Sequence, residues 1–204
     1  MPKVLSQEDV SGFRERLCAA AERLFAEHGP DAVSMRQLSA EVGVSAMTPY
    51  RYFKDKDDIL AAVRASGFNR FAAALEAASE ANPEPAARAG AVGAAYIRFA
   101  FDNPAAYRLM FDLSQPTETD YPELVRAEER ARRTMSAYVH SLIEAGLIEA
   151  GDPEMIAHVF WAAIHGLVVL KLAGKLSPDM DFETLRSEMF RALGEGFRPR
   201  DEPS

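Results

Sequence analysis

The chain has 204 residues, 48% apolar and 26% charged, with a formal net charge of −8. That length suits one large domain or two small ones, and the balance is ordinary for a globular protein. Cys18 is the sole cysteine, which excludes a disulfide framework or a cysteine-based metal site within one chain and fits a reducing, cytoplasmic setting.

The acidic balance argues against indiscriminate coating of nucleic acid. Alanine is abundant and β-branched runs are few, so the fold class expected is all-α. The N-terminal stretch MPKVLSQEDV has no apolar signal-peptide core.

Residues 1–6 read as a loose tail, with Ser6 and Asp9 placed to start a first helix. Val10, Phe13, Leu17, Ala20, Ala21, Leu24 and Phe25 then recur at helical spacing until His28-Gly29-Pro30 ends the pattern. Cys18 lies among these positions and reads as a packed or half-exposed thiol.

Val33 to Lys56 is the most informative stretch. Ser34 can cap a short helix, and Gln37 completes a capping box. Leu38 and Val42 give that helix one apolar stripe, and Gly43 supplies the stop. Ser45 is placed to cap a second helix running to about Phe53. Two short helices joined by a glycine turn make a helix-turn-helix candidate.

Pro49 and Phe53 share a face that turns inward with Val44, leaving Met47, Thr48, Arg51 and Tyr52 outward and Tyr50 on the flank. These groups suit base edges and phosphate oxygens. Pro49 removes one backbone bond and should tighten or kink the first turn. Asp55 and Asp58 start a further helix and place Lys56 in a first turn that favours a phosphate. Between Val33 and Lys56 the cations Arg36, Arg51, Lys54 and Lys56 face the anions Glu41 and Asp55, a local 4 − 2 = +2 on an acidic chain.

Ile59, Leu60, Val63, Phe68, Phe71 and Leu75 carry this helix to about Ser79, and Asn82-Pro83-Glu84-Pro85 breaks the chain. The organisation expected is a helix-turn-helix domain over 1–55, a connecting helix over 56–82 and a larger helical domain over 83–204.

Pro85 to Phe101 reads as a helix with Val92, Tyr96 and Phe99 inward, and Asn103-Pro104 as the capped start of another. A loop from Gln115 to Pro122 precedes a long helix from Glu123 to about Ala145. Its charge run reads as a solvated face with i,i+4 pairs such as Glu128–Arg132 and Glu129–Arg133.

Asp152-Pro153 caps a helix that is apolar nearly all round. Met155 to Ala173 is long enough to cross a membrane, but a helix buried on two sides explains it better, and no membrane partner is expected. His158, Ala162, His165, Gly166 and Val169 fall away from its core face. With Leu185 and Met189 on the last helix, Asp181 to about Phe197, they are the expected four-helix interface of a homodimer. His28, His140, His158 and His165 form no i,i+4 pair, so no metal is expected.

The pattern Gly43-Val44-Ser45-x-x-Thr48-x-Tyr50-x-Tyr52-Phe53-Lys54-x-Lys56, followed by Ile59-Leu60, resembles the DNA-binding signature of the tetracycline-repressor (TetR) family of bacterial regulators. Pro49 departs from it, since the family usually has Leu there. Asn103-Pro104-Ala105-x-Tyr107-Arg108-Leu109-Met110-Phe111 and the set Trp161, His165 and Gly166 resemble a regulatory-domain branch named after a Trp-His-Gly triplet. The resemblance implies a dimer that binds operator DNA through 1–55, with 83–204 as a regulatory domain for ligand binding and dimerisation that holds a ligand or co-inducer pocket, and no cofactor.

The functional expectation is a homodimer on a palindromic operator. Met47, Thr48 and Arg51 are candidates for base contacts, Tyr50, Tyr52 and Lys56 for phosphates, and Arg36 for either. Phe99, Tyr107, Met110, Phe111, Tyr138 and Trp161 are candidates for a pocket that takes a small hydrophobic or amphipathic ligand, although an aromatic and Met stripe at helical spacing is more often the mark of a core. An enzyme is the weaker reading, for no phosphate loop, nucleophile elbow or paired carboxylates stand out. A helical interaction module that no longer reads DNA is the other alternative.

Overall fold

The computed structural model describes residues 7–111, 120–149 and 151–199. The elements among them are α1 (Gln7–His28), α2 (Met35–Glu41), a 3₁₀ turn (Pro49–Arg51), α3 (Lys56–Glu80), α4 (Pro85–Asp102), α5 (Pro104–Met110), α6 (Pro122–Glu144), α7 (Pro153–Leu172) and α8 (Phe182–Gly196). No strand occurs among the described residues, so the chain is all-α, as composition and periodicity predict. The expected cap at Ser6 and most of the loop after Gln115 lie outside the described residues.

The described residues fall into two compact units. One lies within Met1–Arg70 and Ala105–Glu129, the other within Phe71–Pro104 and Arg130–Ser204. These divisions differ from the sequence boundaries at 55 and 82, because α5 and the start of α6 pack with the N-terminal helices. Leu109 is buried in the same cluster as Phe13, Leu17, Phe25, Leu38, Phe53, Ile59, Leu60 and Val63. Arg64, only 4% exposed, donates from Nη2 to the Met110 carbonyl and to Glu128, each at 3.3 Å. Glu128 thus reaches a cation on α3, where an i,i+4 partner on its own helix was expected.

Local chemistry sets the ends of α2. The Ser34 side chain accepts from the Gln37 amide at 3.3 Å, and the Gln37 side chain accepts from the Ser34 amide at 2.8 Å. Gly43, at φ +70, then closes the helix. Its amide donates to the Ala40 carbonyl at 3.1 Å, and the Val44 amide donates to the Ser39 carbonyl at 3.0 Å. Such paired bonds need the left-handed conformation that glycine adopts without strain. Ser34→Ala removes the reciprocal cap and is expected to cost about 1 kcal/mol, read as a lower thermal midpoint of the first unit. An unchanged midpoint would show that the cap is energetically idle.

In the second unit α4 is capped by Glu84, whose carboxylate accepts from the Ala86 and Ala87 amides. Those bonds hold its pKa below the usual range. Asn103 does not cap α5 as the sequence suggests. Its side-chain amide turns back and donates to the Phe99 carbonyl at 3.1 Å, closing the end of α4. Arg130 also leaves its own helix and grips Glu76 through Nε at 2.9 Å and through Nη2. Val139, Leu142, Ile148, Ile156, Ala157 and Phe160 form a core, with Phe190, Leu193 and Phe197 packed on it.

Candidate nucleic-acid interface and ligand cavity

The second helix of the expected pair is a tighter element than its sequence spacing suggests. Residues 45–48 form a turn, and Pro49–Arg51 is a single 3₁₀ turn. Pro49 has no N–H to return to Ser45, so the chain closes through shorter bonds. The amides of Thr48, Arg51 and Tyr52 donate to the carbonyls of Ser45, Thr48 and Pro49, at 2.9, 3.1 and 2.9 Å. Ser45 caps nothing. Its hydroxyl bonds the Thr48 hydroxyl at 2.9 Å instead.

The faces are largely as expected. Pro49 and Phe53 are buried, while Met47 is 71% and Tyr50 49% exposed. Arg36 and Arg51 are exposed, and Thr48 is half-exposed. These five side chains form the accessible part of the candidate DNA-contact set. Tyr52 is the exception to the predicted outward face. Its ring lies on Phe13, with centroids 4.4 Å apart, and packs against the first unit's core. Lys56 is half-buried, and its Nζ donates to the Pro30 carbonyl at 2.7 Å. Its nearest role is to tie the start of α3 to the loop after α1. The Asp55 and Asp58 carboxylates accept from the amides of Asp58 and Lys54, each at 2.9 Å.

Arg14 stands behind this turn, and the sequence reading passed over it. Its Nη1 donates to the Tyr52 carbonyl at 2.7 Å, and its guanidinium sits 4.2 Å from the centre of the Phe53 ring. The same guanidinium forms an ion pair with Glu123, with Nη2 3.6 Å from its carboxylate. The available signal was its register, one residue from Phe13 and three from Leu17 on an otherwise apolar face.

Within the second unit, α4, α6, α7 and α8 line a partly open cavity of about 270 Å³. Its walls include Tyr96, Met135, Tyr138, Phe160, Trp161 and Phe190, with Arg186 as the charged residue. Of the six residues expected to line a pocket, the structure brings Tyr138 and Trp161 to this cavity. Phe99 is buried edge-on against Phe71, at 5.2 Å. Tyr107, Met110 and Phe111 belong to the first unit. There Tyr107 packs on Phe111 at 4.9 Å, Phe111 on Phe68 at 5.5 Å, and Met110 lies close over Gly67.

One wall of the cavity is polar and internally bonded. Trp161 Nε1 donates to the Tyr96 hydroxyl at 3.2 Å, and that hydroxyl lies 3.2 Å from His165 Nδ1. Burial holds the His165 imidazole below its ordinary pKa. Burial also pushes the Tyr138 phenol well above its ordinary value.

The far side of α7 is apolar and accessible. Met155 is 64%, Val159 36%, Val169 42% and Leu170 45% exposed. Ala162 is also exposed and Gly166 partly so, at the spacing of a single stripe. His158 is exposed beside it, with Nδ1 donating to the Glu154 carbonyl at 2.6 Å. His165 points instead to Tyr96 on α4. Leu185 and Met189 are half-buried on α8. By length and composition α7 would pass for a membrane span, yet Ile156, Phe160, Ile164, Leu167 and Val168 are buried in its own unit.

Comparison with known proteins resolves the class of this architecture. Residues 17–63 match the family model of bacterial regulatory proteins of the tetR family, and residues 89–193 match a tetracyclin repressor-like C-terminal domain. The solved structure of a protein of unknown function from Rhodococcus sp. RHA1 is 30% identical, covers 98% of this chain and 100% of its own, and superposes with a TM-score of 0.79. A TetR family protein from Vibrio parahaemolyticus is 26% identical, with 92% of this chain and 99% of its own covered and a TM-score of 0.70. An HTH-type transcriptional regulator of Staphylococcus aureus is 38% identical over 53 residues, 26% of this chain and 29% of that protein. That match therefore spans less than a third of the curated relative. A specific helix-turn-helix match, a C-terminal match over half the chain and a shared fold lead to one conclusion: the protein belongs to the TetR family of bacterial DNA-binding transcriptional regulators and is not an enzyme.

Proposed function

We propose that the protein acts in the cytoplasm as a homodimeric repressor of a palindromic operator, released when a small hydrophobic or amphipathic molecule enters the cavity of the second unit. The observation that carries this reading is one chain's possession of two unpartnered surfaces of opposite chemistry. One is the accessible set Arg36, Met47, Thr48, Tyr50 and Arg51, and the other is the apolar stripe of α7. The first suits base edges and phosphates. The second suits a copy of itself, with α7 and α8 pairing across a two-fold axis. Two reading turns held about 34 Å apart would meet successive major grooves. Ligand entry would favour a dimer whose spacing no longer matches the operator.

The test is selection of genomic fragments by the purified protein, compared with the Thr48→Ala, Tyr50→Ala double variant. A palindromic site lost in the variant supports the reading, and no enrichment by either protein would count against it. On the site so found, Arg51→Ala is expected to cost about 1–3 kcal/mol and to relax specificity. Equal losses on operator and random DNA would contradict a base-reading role for Arg51. Ligands can be sought through the emission of Trp161, the chain's sole tryptophan, which lines the cavity.

A further inference from the structure

We propose that the cavity of the second unit selects an uncharged aromatic molecule of about a dozen non-hydrogen atoms, bearing one hydrogen-bond acceptor that meets the Tyr138 hydroxyl. This rests on the reading of that cavity as the inducer site and adds the chemistry of its occupant.

Size comes first. An apolar cavity of ~150 Å³ holds benzene, so one of about 270 Å³ has room for a fused bicyclic ring with a small substituent. The walls argue for an aromatic guest. Tyr96, Tyr138, Phe160, Trp161 and Phe190 offer ring faces and edges from four helices, and aromatic pairs prefer offset or edge-on contacts with such surfaces.

The polar groups decide the rest. The Tyr96 hydroxyl already serves Trp161 Nε1 and His165 Nδ1. Arg186, the charged residue of the lining, is engaged through Nε with Glu183 on its own helix at 2.7 Å. Arg186 and Glu183 together carry no net charge, so the lining offers an entering carboxylate little net attraction to offset the loss of its hydration. Tyr138 differs from both. Among the described residues no hydrogen bond is formed by its hydroxyl, and its phenol is shifted by burial alone, with no cation contributing. The phenol therefore stays protonated, and among the described residues its hydroxyl is a lining donor that no protein acceptor fills. A ketone, ether or ester oxygen on the guest supplies that acceptor, and a purely hydrocarbon guest does not.

Three probes of matched shape separate these requirements: 2-acetylnaphthalene, its hydrocarbon isostere 2-isopropenylnaphthalene, and 2-naphthoate, which is ionised at pH 7. Each is titrated calorimetrically into the full chain, into Tyr138→Phe, and into Gly93→Leu. The last adds a side chain to the cavity wall at a position where a Cβ makes only an ordinary 3.6 Å contact with Phe190. The ketone should bind about tenfold more tightly than either partner. Tyr138→Phe should remove that advantage over the hydrocarbon, and Gly93→Leu should weaken all binding. Naphthoate binding as tightly as the ketone, or a ketone preference that survives in Tyr138→Phe, would overturn the inference while leaving the cavity as a ligand site. If none of the probes binds, or if Gly93→Leu changes nothing, both the inference and the ligand reading of the cavity fail.

Discussion

Val169→Glu is expected to leave a folded monomer that binds the operator about a hundredfold more weakly than the parent chain. Val169 is 42% exposed and lies outside the buried set of α7, so its replacement removes little from the chain's own core. On the proposed two-fold seam the substitution acts twice. A glutamate from each copy enters an apolar interface that also contains Ala162 and Gly166, where closely approaching helices leave no room for water around a charge. The DNA consequence follows from geometry. A dimer that has bound one half-site holds its second reading turn at a high effective concentration over the other half-site, and a monomer forfeits that advantage. Sedimentation equilibrium and titration of a labelled operator measure the two effects separately. If the variant remains dimeric with unchanged affinity, the α7 stripe is not the dimer seam. A monomeric variant with undiminished affinity would instead sever dimerisation from operator binding.

Local information was legible at several helix ends, though not at Ser45 or Asn103. Ser34 with Gln37, Gly43, and Asp152-Pro153 set helix ends through bonds made within a few residues, and each end lies where those residues put it. Pro49 shows the limit of local reasoning. A missing N–H forecasts a tightened turn, but whether the chain recovers an α-helix beyond it depends on one or two bonds. Here it closes as 3₁₀ and enters the core at Phe53. Destinations of long side chains were not legible. Nothing near Arg130 in sequence points to Glu76, nor near Lys56 to Pro30. The aromatic positions were ambiguous as pocket markers for a related reason. Tyr107 and Tyr138 stand at similar helical spacings, and only the tertiary fold buries one and leaves the other lining a cavity. The Asn82-to-Pro85 break marks a helix end, whereas the packing units divide elsewhere because α3 and α6 each contribute residues to both.

Arg14 and Phe53 together are expected to hold the reading turn, and two substitutions should divide their roles. Phe53→Ala empties a site that is 2% exposed in the cluster shared by α1, α2 and α3. A loss of about 3–5 kcal/mol is expected for such a cavity. That is a large part of the roughly 5–15 kcal/mol that stabilises a whole domain. The first unit should then melt well below the parent and lose operator binding with it. Arg14→Met acts differently. The thioether keeps the packing of the Arg stem, while the bond to the Tyr52 carbonyl and the cation over the Phe53 ring disappear. The fold should lose only about 1–2 kcal/mol. The turn carrying Met47, Tyr50 and Arg51 should nevertheless lose its anchorage, and operator affinity should fall about tenfold because the contact set must be ordered on binding. Thermal melts, operator titrations and amide exchange at Tyr52 and Phe53 distinguish the two cases. If exchange at those amides is unchanged in Arg14→Met while operator affinity stays at the parental value, Arg14 does not position the turn. If affinity falls only in proportion to the fraction unfolded, its contribution is stability alone.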